Sequence, residues 1–504
     1  MFKPGRLFLV FTFVTLSLFT LAGCKSNVAE KAPGAPTQIQ PQTPPAPVLG
    51  DGSRTSYADI VDRVAPAVVM VNVEQRTKPS QQQQQREIPF LDNPMFRDLI
   101  PQQPQQPQQP QRPQRGIGSG VIVSADGTIL TNNHVIEGAD RIRIELNDNR
   151  IYDAKVVGTD PLSDLAVVKI DEQNLPFLNL GDSDKVRVGD IILAIGNPLG
   201  IGQTVTAGII SAKGRRTGIS DGSFEDFLQI DAPINRGNSG GALVSLNGEL
   251  IGINSQILSP PGSGGNIGIG FSIPSNMAKS VMEQLVRDGK VRRGKLGVSI
   301  QNPTEEMKEA LGLKDTRGVL VGGVQPGSAA EKAGIKRGDV IIAVNGEKVE
   351  DSNVLRNRVA GTLPGTEITL TVMRDGSEQQ LRATLDELKS EDTPGSNSEE
   401  NEKEPEKSAE GGKLGLDLQP LTPDMAQRLR IPDTKGLLIT GVDPNGAAAE
   451  KGVQRGDILL EVNRQEVETF DDVKSALEKS GDRPVLLLIS RGGQTSYITI
   501  QPNR

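Results

Sequence analysis

The 504-residue sequence contains one cysteine, one histidine, three tyrosines and no tryptophan. A single cysteine excludes an internal disulfide, and one cysteine with one histidine leaves too few ligands for a structural zinc site. No Gly-x-x-x-x-Gly-Lys-(Ser/Thr) loop is present, so the chain lacks the phosphate cradle of a nucleotide-driven machine. A formal net charge of −8 argues against a nucleic-acid partner, which needs a basic face. No metal and no cofactor are expected. Chemistry is left to serine, carboxylates, lysine or the one imidazole, His134.

Glycine (56) and proline (34) are plentiful, which fits short-stranded β domains joined by connectors. The length is too great for one core and suggests roughly three domains. Lys3 and Arg6 precede an apolar run, Leu7 to Ala22, whose 16 residues are short for a membrane span. The run ends in Leu21-Ala22-Gly23-Cys24, which resembles the bacterial lipoprotein signal. That resemblance implies a signal peptide over 1–23, cleavage before Cys24, acylation of its thiol and anchoring to a cell-envelope membrane facing the periplasm. The alternative is an ordinary signal peptide in which Cys24 is incidental. Residues 24–56, rich in Ala, Pro and Gln, read as a flexible tether.

A β-rich unit over 57–290 opens with Ala67-Val68-Val69-Met70-Val71-Asn72-Val73. It is interrupted at 75–115 by a Gln/Pro-rich stretch that cannot bury a core and reads as a long exposed loop. After Gly116 come short apolar runs: Val121 to Val123, an Asp126-Gly127 hairpin signal, Ile129-Leu130, Ile142 to Leu146 and Leu165 to Ile170. Ile191 to Ile195, Gly208 to Ser211, Ala242 to Val244 and Leu250 to Ile253 follow. This spacing predicts barrels or a sandwich, closed by one helix over Ser275 to Arg287 with Asn276 near its start and Gly289 beyond its end.

The C-terminal half is duplicated. Lys295-Leu296-Gly297-Val298 recurs 118 residues later as Lys413-Leu414-Gly415-Leu416. The same offset maps Arg337-Gly338-Asp339 onto Arg455-Gly456-Asp457, and Val344-Asn345 onto Val462-Asn463. So long a period means two domains, over 294–386 and 413–504, separated by an acidic, solvated linker at 387–412.

Gly237-Asn238-Ser239-Gly240-Gly241 has the glycines needed to turn the chain and present backbone N–H groups beside a serine. By itself the pentapeptide is equally compatible with an ordinary β-turn. A serine nucleophile needs a base, and His134, in Thr131-Asn132-Asn133-His134-Val135, is the one imidazole available. A lone histidine is often merely structural. Asp164, in Ser163-Asp164-Leu165-Ala166, stands at the mouth of an apolar strand where its charge needs a partner, and an imidazole N–H supplies one.

The order His134, Asp164, Ser239 is that of chymotrypsin-type double β-barrels. With the duplicated tail, the three motifs resemble the HtrA (Deg) family of serine endoproteases from about Tyr57 to the C-terminus. The resemblance implies a mainly β chain: a chymotrypsin-like double barrel followed by two PDZ domains, small β-barrels with flanking helices. It implies an oxyanion hole from the N–H groups of Gly237 and Ser239 with Asn238 between them. It implies a specificity pocket lined by Ile267 to Phe271, Ile267 and Ile269 included, and cleavage after small aliphatic residues. The expected work is ATP-independent degradation of misfolded envelope proteins, with unfolded proteins and peptides as substrates and chaperone activity beside it. Assembly into trimers or trimer-based cages is expected, and the Gln/Pro-rich loop occupies the family's regulatory position. Leu296, Gly297 and Val298, and likewise Leu414, Gly415 and Leu416, are expected to hold a peptide's terminal carboxylate while the peptide adds as a strand.

Overall fold

The computed structural model describes residues 56–75, 114–197, 202–218, 223–235, 237–259, 265–311, 313, 316–389, 414–422, 425–426, 435–478 and 484–501. The expected signal peptide and Cys24 lie outside the described residues, as does nearly all of the tether, of the Gln/Pro-rich loop and of the acidic linker; the loop's expected ends, Gln75 and Gln114-Arg115, belong instead to the flanking strands.

Two closed six-stranded barrels form the unit from Tyr57 onward. The first comprises β1 (Val68–Gln75), β2 (Gln114–Ser124), β3 (Thr128–Thr131), β4 (Arg141–Glu145), β5 (Ile151–Asp160) and β6 (Leu165–Lys169), in the order β1-β2-β3-β6-β5-β4. The second comprises β7 (Ile191–Gly196), β8 (Thr204–Arg215), β9 (Phe227–Ile230), β10 (Ala242–Ser245), β11 (Leu250–Ile257) and β12 (Gly270–Pro274), in the order β10-β11-β12-β9-β8-β7. Closure leaves no free edges among these strands. Strands of continuous apolar sequence, such as Leu165–Lys169, are buried nearly throughout. The Asp126-Gly127 turn forms as expected: Gly127 adopts φ 88°, and the Asp126 carboxylate accepts from the N–H and hydroxyl of Thr128.

Helix α1 (Ala58–Val64) precedes β1, and a one-turn helix, α2 (Asn133–Ile136), follows β3. Helix α3 (Ser275–Asp288) packs Ala278, Val281 and Leu285 into the main core. Its C-terminus is as read: Gly289 is left-handed at φ 68° and its N–H bonds the Leu285 carbonyl. Its N-terminus differs, because Asn276 donates to Asp182 at 2.8 Å instead of capping.

Each C-terminal repeat folds into a five-strand path with one short additional strand. The repeated motifs have a physical reason. Asp339 and Asp457 are each 1% exposed, and each binds a strand arginine through both oxygens: Arg374 at 2.7 and 2.7 Å, Arg491 at 2.6 and 2.6 Å. Asn345 and Asn463 both adopt φ 51°, and their side chains accept from the N–H of Thr369 and Leu486 respectively.

The acidic linker suggested a loosely tethered second repeat, yet the two repeats share a buried seam. Met307, Leu320 and Val340 of the first form one apolar cluster with Leu486, Leu488 and Tyr497 of the second. The Gln301 side chain accepts from the Tyr497 N–H at 2.7 Å and donates to its carbonyl at 2.9 Å. Thr495 donates to the Gly322 carbonyl at 2.8 Å, and a Cβ on Gly323 would lie 2.3 Å from the Thr495 hydroxyl. Arg337 pairs with Glu461, whose side chain is 7% exposed and also accepts from the Tyr497 hydroxyl at 3.0 Å.

Candidate active site

The cleft between the barrels gathers the three residues singled out from the sequence. His134 stands on α2 just after β3, with Asp164 at the entry to β6, and β3 and β6 are paired neighbours (Thr131↔Ala166). Asp164 adopts φ 56°, unusual for a non-glycine residue, and the surrounding bonds hold it there. Its carbonyl accepts from the Asn133 N–H at 3.1 Å and from Asn132 Nδ2 at 2.9 Å. The Asn-Asn preceding the histidine thus ties the imidazole's helix to the aspartate's loop.

The Asp164 carboxylate lies 2.9 and 2.8 Å from His134 Nδ1 through Oδ1 and Oδ2, and Oδ1 also accepts from the His134 backbone N–H at 3.0 Å. An N–H on Nδ1 facing a carboxylate leaves Nε2 as the basic nitrogen. The imidazole is 47% exposed and open to solvent, whereas the carboxylate is 27% exposed.

Ser239 sits on the loop before β10. The Ser119 N–H donates to the Ser239 carbonyl at 2.8 Å, and the Ser119 hydroxyl donates to the Gly237 carbonyl at 2.6 Å, so β2 of the first barrel holds the serine loop of the second. Both glycines after Ser239 are forced by space. A Cβ on Gly240 would lie 2.1 Å from the Ser119 carbonyl oxygen, and one on Gly241 2.2 Å from that of Ile195. Gly237 adopts φ 102°, and Gly237 and Asn238 are both buried. Among the described residues, the N–H groups of Gly237 and Ser239 donate to no acceptor, as an anion-binding pair requires.

Ser255, on β11, was not singled out from the sequence, where the apolar run was read only as far as Ile253. Its hydroxyl donates to Asp164 Oδ2 at 2.9 Å, and its carbonyl accepts from Ser239 Oγ at 2.9 Å. The serine hydroxyl therefore rests on Ser255 in this structure and makes no hydrogen bond to His134 among the described residues; such bonds often tighten only with substrate bound.

Ile269 packs on the main core, while Ile267 is 52% exposed. Phe271 is buried, with its ring 5.7 Å from that of Phe227. In the repeats, Leu296 and Leu414 are each 3% exposed, Gly297 and Gly415 are left-handed at φ 81° and 69°, and Val298 and Leu416 begin the outermost strand of each sheet. Each loop thus leads into a strand with an unpaired edge. Among the described residues no group of three or more His, Cys, Asp or Glu side chains is arranged to hold a metal.

The barrels and the His-Asp-Ser arrangement define a trypsin-like serine peptidase joined to PDZ domains, and comparison with known proteins agrees. Residues 118–253 match the trypsin-like peptidase domain family, and residues 294–385 and 438–491 match PDZ domain families. A periplasmic serine protease of the do/HhoA-like type from Haemophilus influenzae is 41% identical over 89% of this chain and 92% of its own length. A DegP-like periplasmic serine endoprotease from Chlamydia pneumoniae is 44% identical over 76% of each chain. The solved HtrA-type protease AlgW with a tripeptide is 43% identical, with a TM-score of 0.53 over 66% of this chain and 98% of that one.

The chain belongs to the HtrA-type, DegP-like periplasmic serine endoproteases. It is a hydrolase of the serine endopeptidase class, mainly β, with two PDZ domains, and membership places it in the periplasm.

Proposed function

We propose that this protease cuts unfolded envelope polypeptides through a charge-oriented triad. His134 is the general base, Asp164 fixes its tautomer, and Ser239 attacks the scissile carbonyl. The Gly237 and Ser239 N–H groups receive the oxyanion, with Asn238 buried between them. The observation that carries this reading is the contact of both Asp164 oxygens with His134 Nδ1 at 2.8–2.9 Å, bridged through Ser255 to the Ser239 hydroxyl.

The remaining assignments rest on family membership and sequence. Cleavage follows small aliphatic residues held near Ile267 and Ile269. The loops Leu296-Gly297-Val298 and Leu414-Gly415-Leu416 take the free carboxylates of apolar peptide C-termini, as open sheet edges beside backbone N–H groups suit that mode. The HtrA-type protease AlgW has been solved with a decapeptide, a relative 45% identical to this chain. The active form is a trimer or trimer-based cage, and Cys24 carries the lipid that holds it to the membrane.

Casein digestion tests the triad. Ser239→Ala or His134→Ala should slow it by about 10⁶, and Asp164→Asn by about 10⁴. Near-normal digestion by folded Ser239→Ala protein refutes the assignment.

A further inference from the structure

One short segment of the protease, Phe224 to Asp226, meets the first PDZ domain. Two guanidinium groups, those of Arg293 and Arg356, stack over the Phe224 ring, each 4.7 Å from its centre. The carbonyl of Glu225 accepts from Asn353 at 2.9 Å and from Asn357 at 2.8 Å, both on the PDZ helix Ser352–Gly361. Asp226 comes next, at the wall of a cavity of about 570 Å³ between the two domains.

The charges around Asp226 are poorly matched to it. It faces Asp184 and Lys213 from the protease and Asp351 from the PDZ domain. The Lys213 ammonium is committed to the carbonyls of Ser183, Asp184 and Val186 at 3.3, 2.9 and 2.8 Å. Of the other charged groups on the cavity wall, Arg358 pairs with Glu347 at 3.1 Å, and Arg293 is held by Asp160. Asp351 caps the PDZ helix, accepting from the Val354 N–H at 2.9 Å. Among the described residues Asp226 makes no ion pair, and two carboxylates stand against it, one from each domain.

We propose that Asp226 is a proton-operated clasp between the protease and its first PDZ domain: uncharged, it lets the helix Ser352–Gly361 stay seated on Glu225, and ionised, it repels Asp351 across the interface and loosens that seat. Burial first, then the charge of Asp184, push its carboxyl from 3.8 up to about 6, with Lys213 opposing. The docked state therefore holds this proton more tightly than an exposed aspartic acid does. Its contribution to docking is present at low pH and is lost as the pH rises through about 6. Each pH unit by which undocking lowers the carboxyl's midpoint changes the docking equilibrium about tenfold.

The test is a distance measurement on the full chain and needs no proteolysis. Cys24→Ser removes the native thiol, and Lys279→Cys with Lys348→Cys places one spin label on each domain at exposed positions. Labelled protein is diluted with unlabelled protein so that only distances within one chain are read. Between about pH 5 and about pH 8, either side of the transition, a longer-distance population should grow several-fold. Asp226→Asn should remain in the short-distance population at both values, and Asp351→Asn, which still caps the helix but removes the charge facing Asp226 from the PDZ domain, should shrink the longer-distance population at about pH 8. A distribution that does not change with pH overturns the proposal. So does an Asp226→Asn chain that responds like the parent, or one that is undocked at both values.

Discussion

The Ser255 hydroxyl donates to Oδ2 of Asp164 across the barrel interface at 2.9 Å. Because the Ser255 carbonyl also accepts from the Ser239 hydroxyl, one β11 residue touches both ends of the catalytic arrangement. Replacing it with alanine removes the side-chain bond and leaves the carbonyl. A hydrogen bond to a charged group is worth about 1.5–3 kcal/mol, so Ser255→Ala should lower kcat by about tenfold to about a hundredfold. Steady-state kinetics on a short chromogenic peptide check this, with KM expected to change little. An unchanged kcat removes Ser255 from the orienting network.

Arg337 and Glu461 join the PDZ domains by an ion pair with a buried glutamate. Arg337→Ala leaves that charge without its partner, at a cost of about 2 kcal/mol, since the arginine is itself one-third exposed. Calorimetry should show the PDZ transition moving down, and Arg337→Ala with Glu461→Gln should recover part of the loss. Strictly additive effects of the two substitutions would mean the pair is not coupled.

Peptide binding at the first PDZ domain should raise protease activity, and that activation should depend on Gly297. A Cβ there would lie 2.3 Å from the Ser328 Cβ, at a φ of 81° that side chains avoid, so Gly297→Ala should close the carboxylate loop. Peptides with free apolar C-termini should speed cleavage of a chromogenic substrate by the parent several-fold to a hundredfold, a coupling of about 1–3 kcal/mol. Gly297→Ala should keep the basal rate and lose the activation. Equal rates with and without saturating peptide in the parent refute the coupling.

The sequence exposes those features whose physics is local. Asp126-Gly127 announces its hairpin, Gly289 ends its helix, and the continuous apolar runs mark buried strands. β5 escapes such reading because Ile151–Asp160 mixes charged and apolar residues without a clean alternation. The seam between the repeats was legible only by comparing them. Glu461 replaces Ala343 within a strand otherwise apolar, and Thr440 stands where the first repeat has Gly322. Ser255 carries no local signal, because its role comes from a fold that sets β11 against the loop before β6.

The central claim is that Ser239 is a nucleophile activated by His134. Labelling with a serine-directed fluorophosphonate, followed by mass spectrometry of the modified peptide, tests it directly. The account predicts one modified residue, Ser239, with labelling slowed by orders of magnitude in His134→Ala and restored by no substitution of Ser255. A label on another serine, or equal labelling of the folded His134→Ala chain, contradicts it.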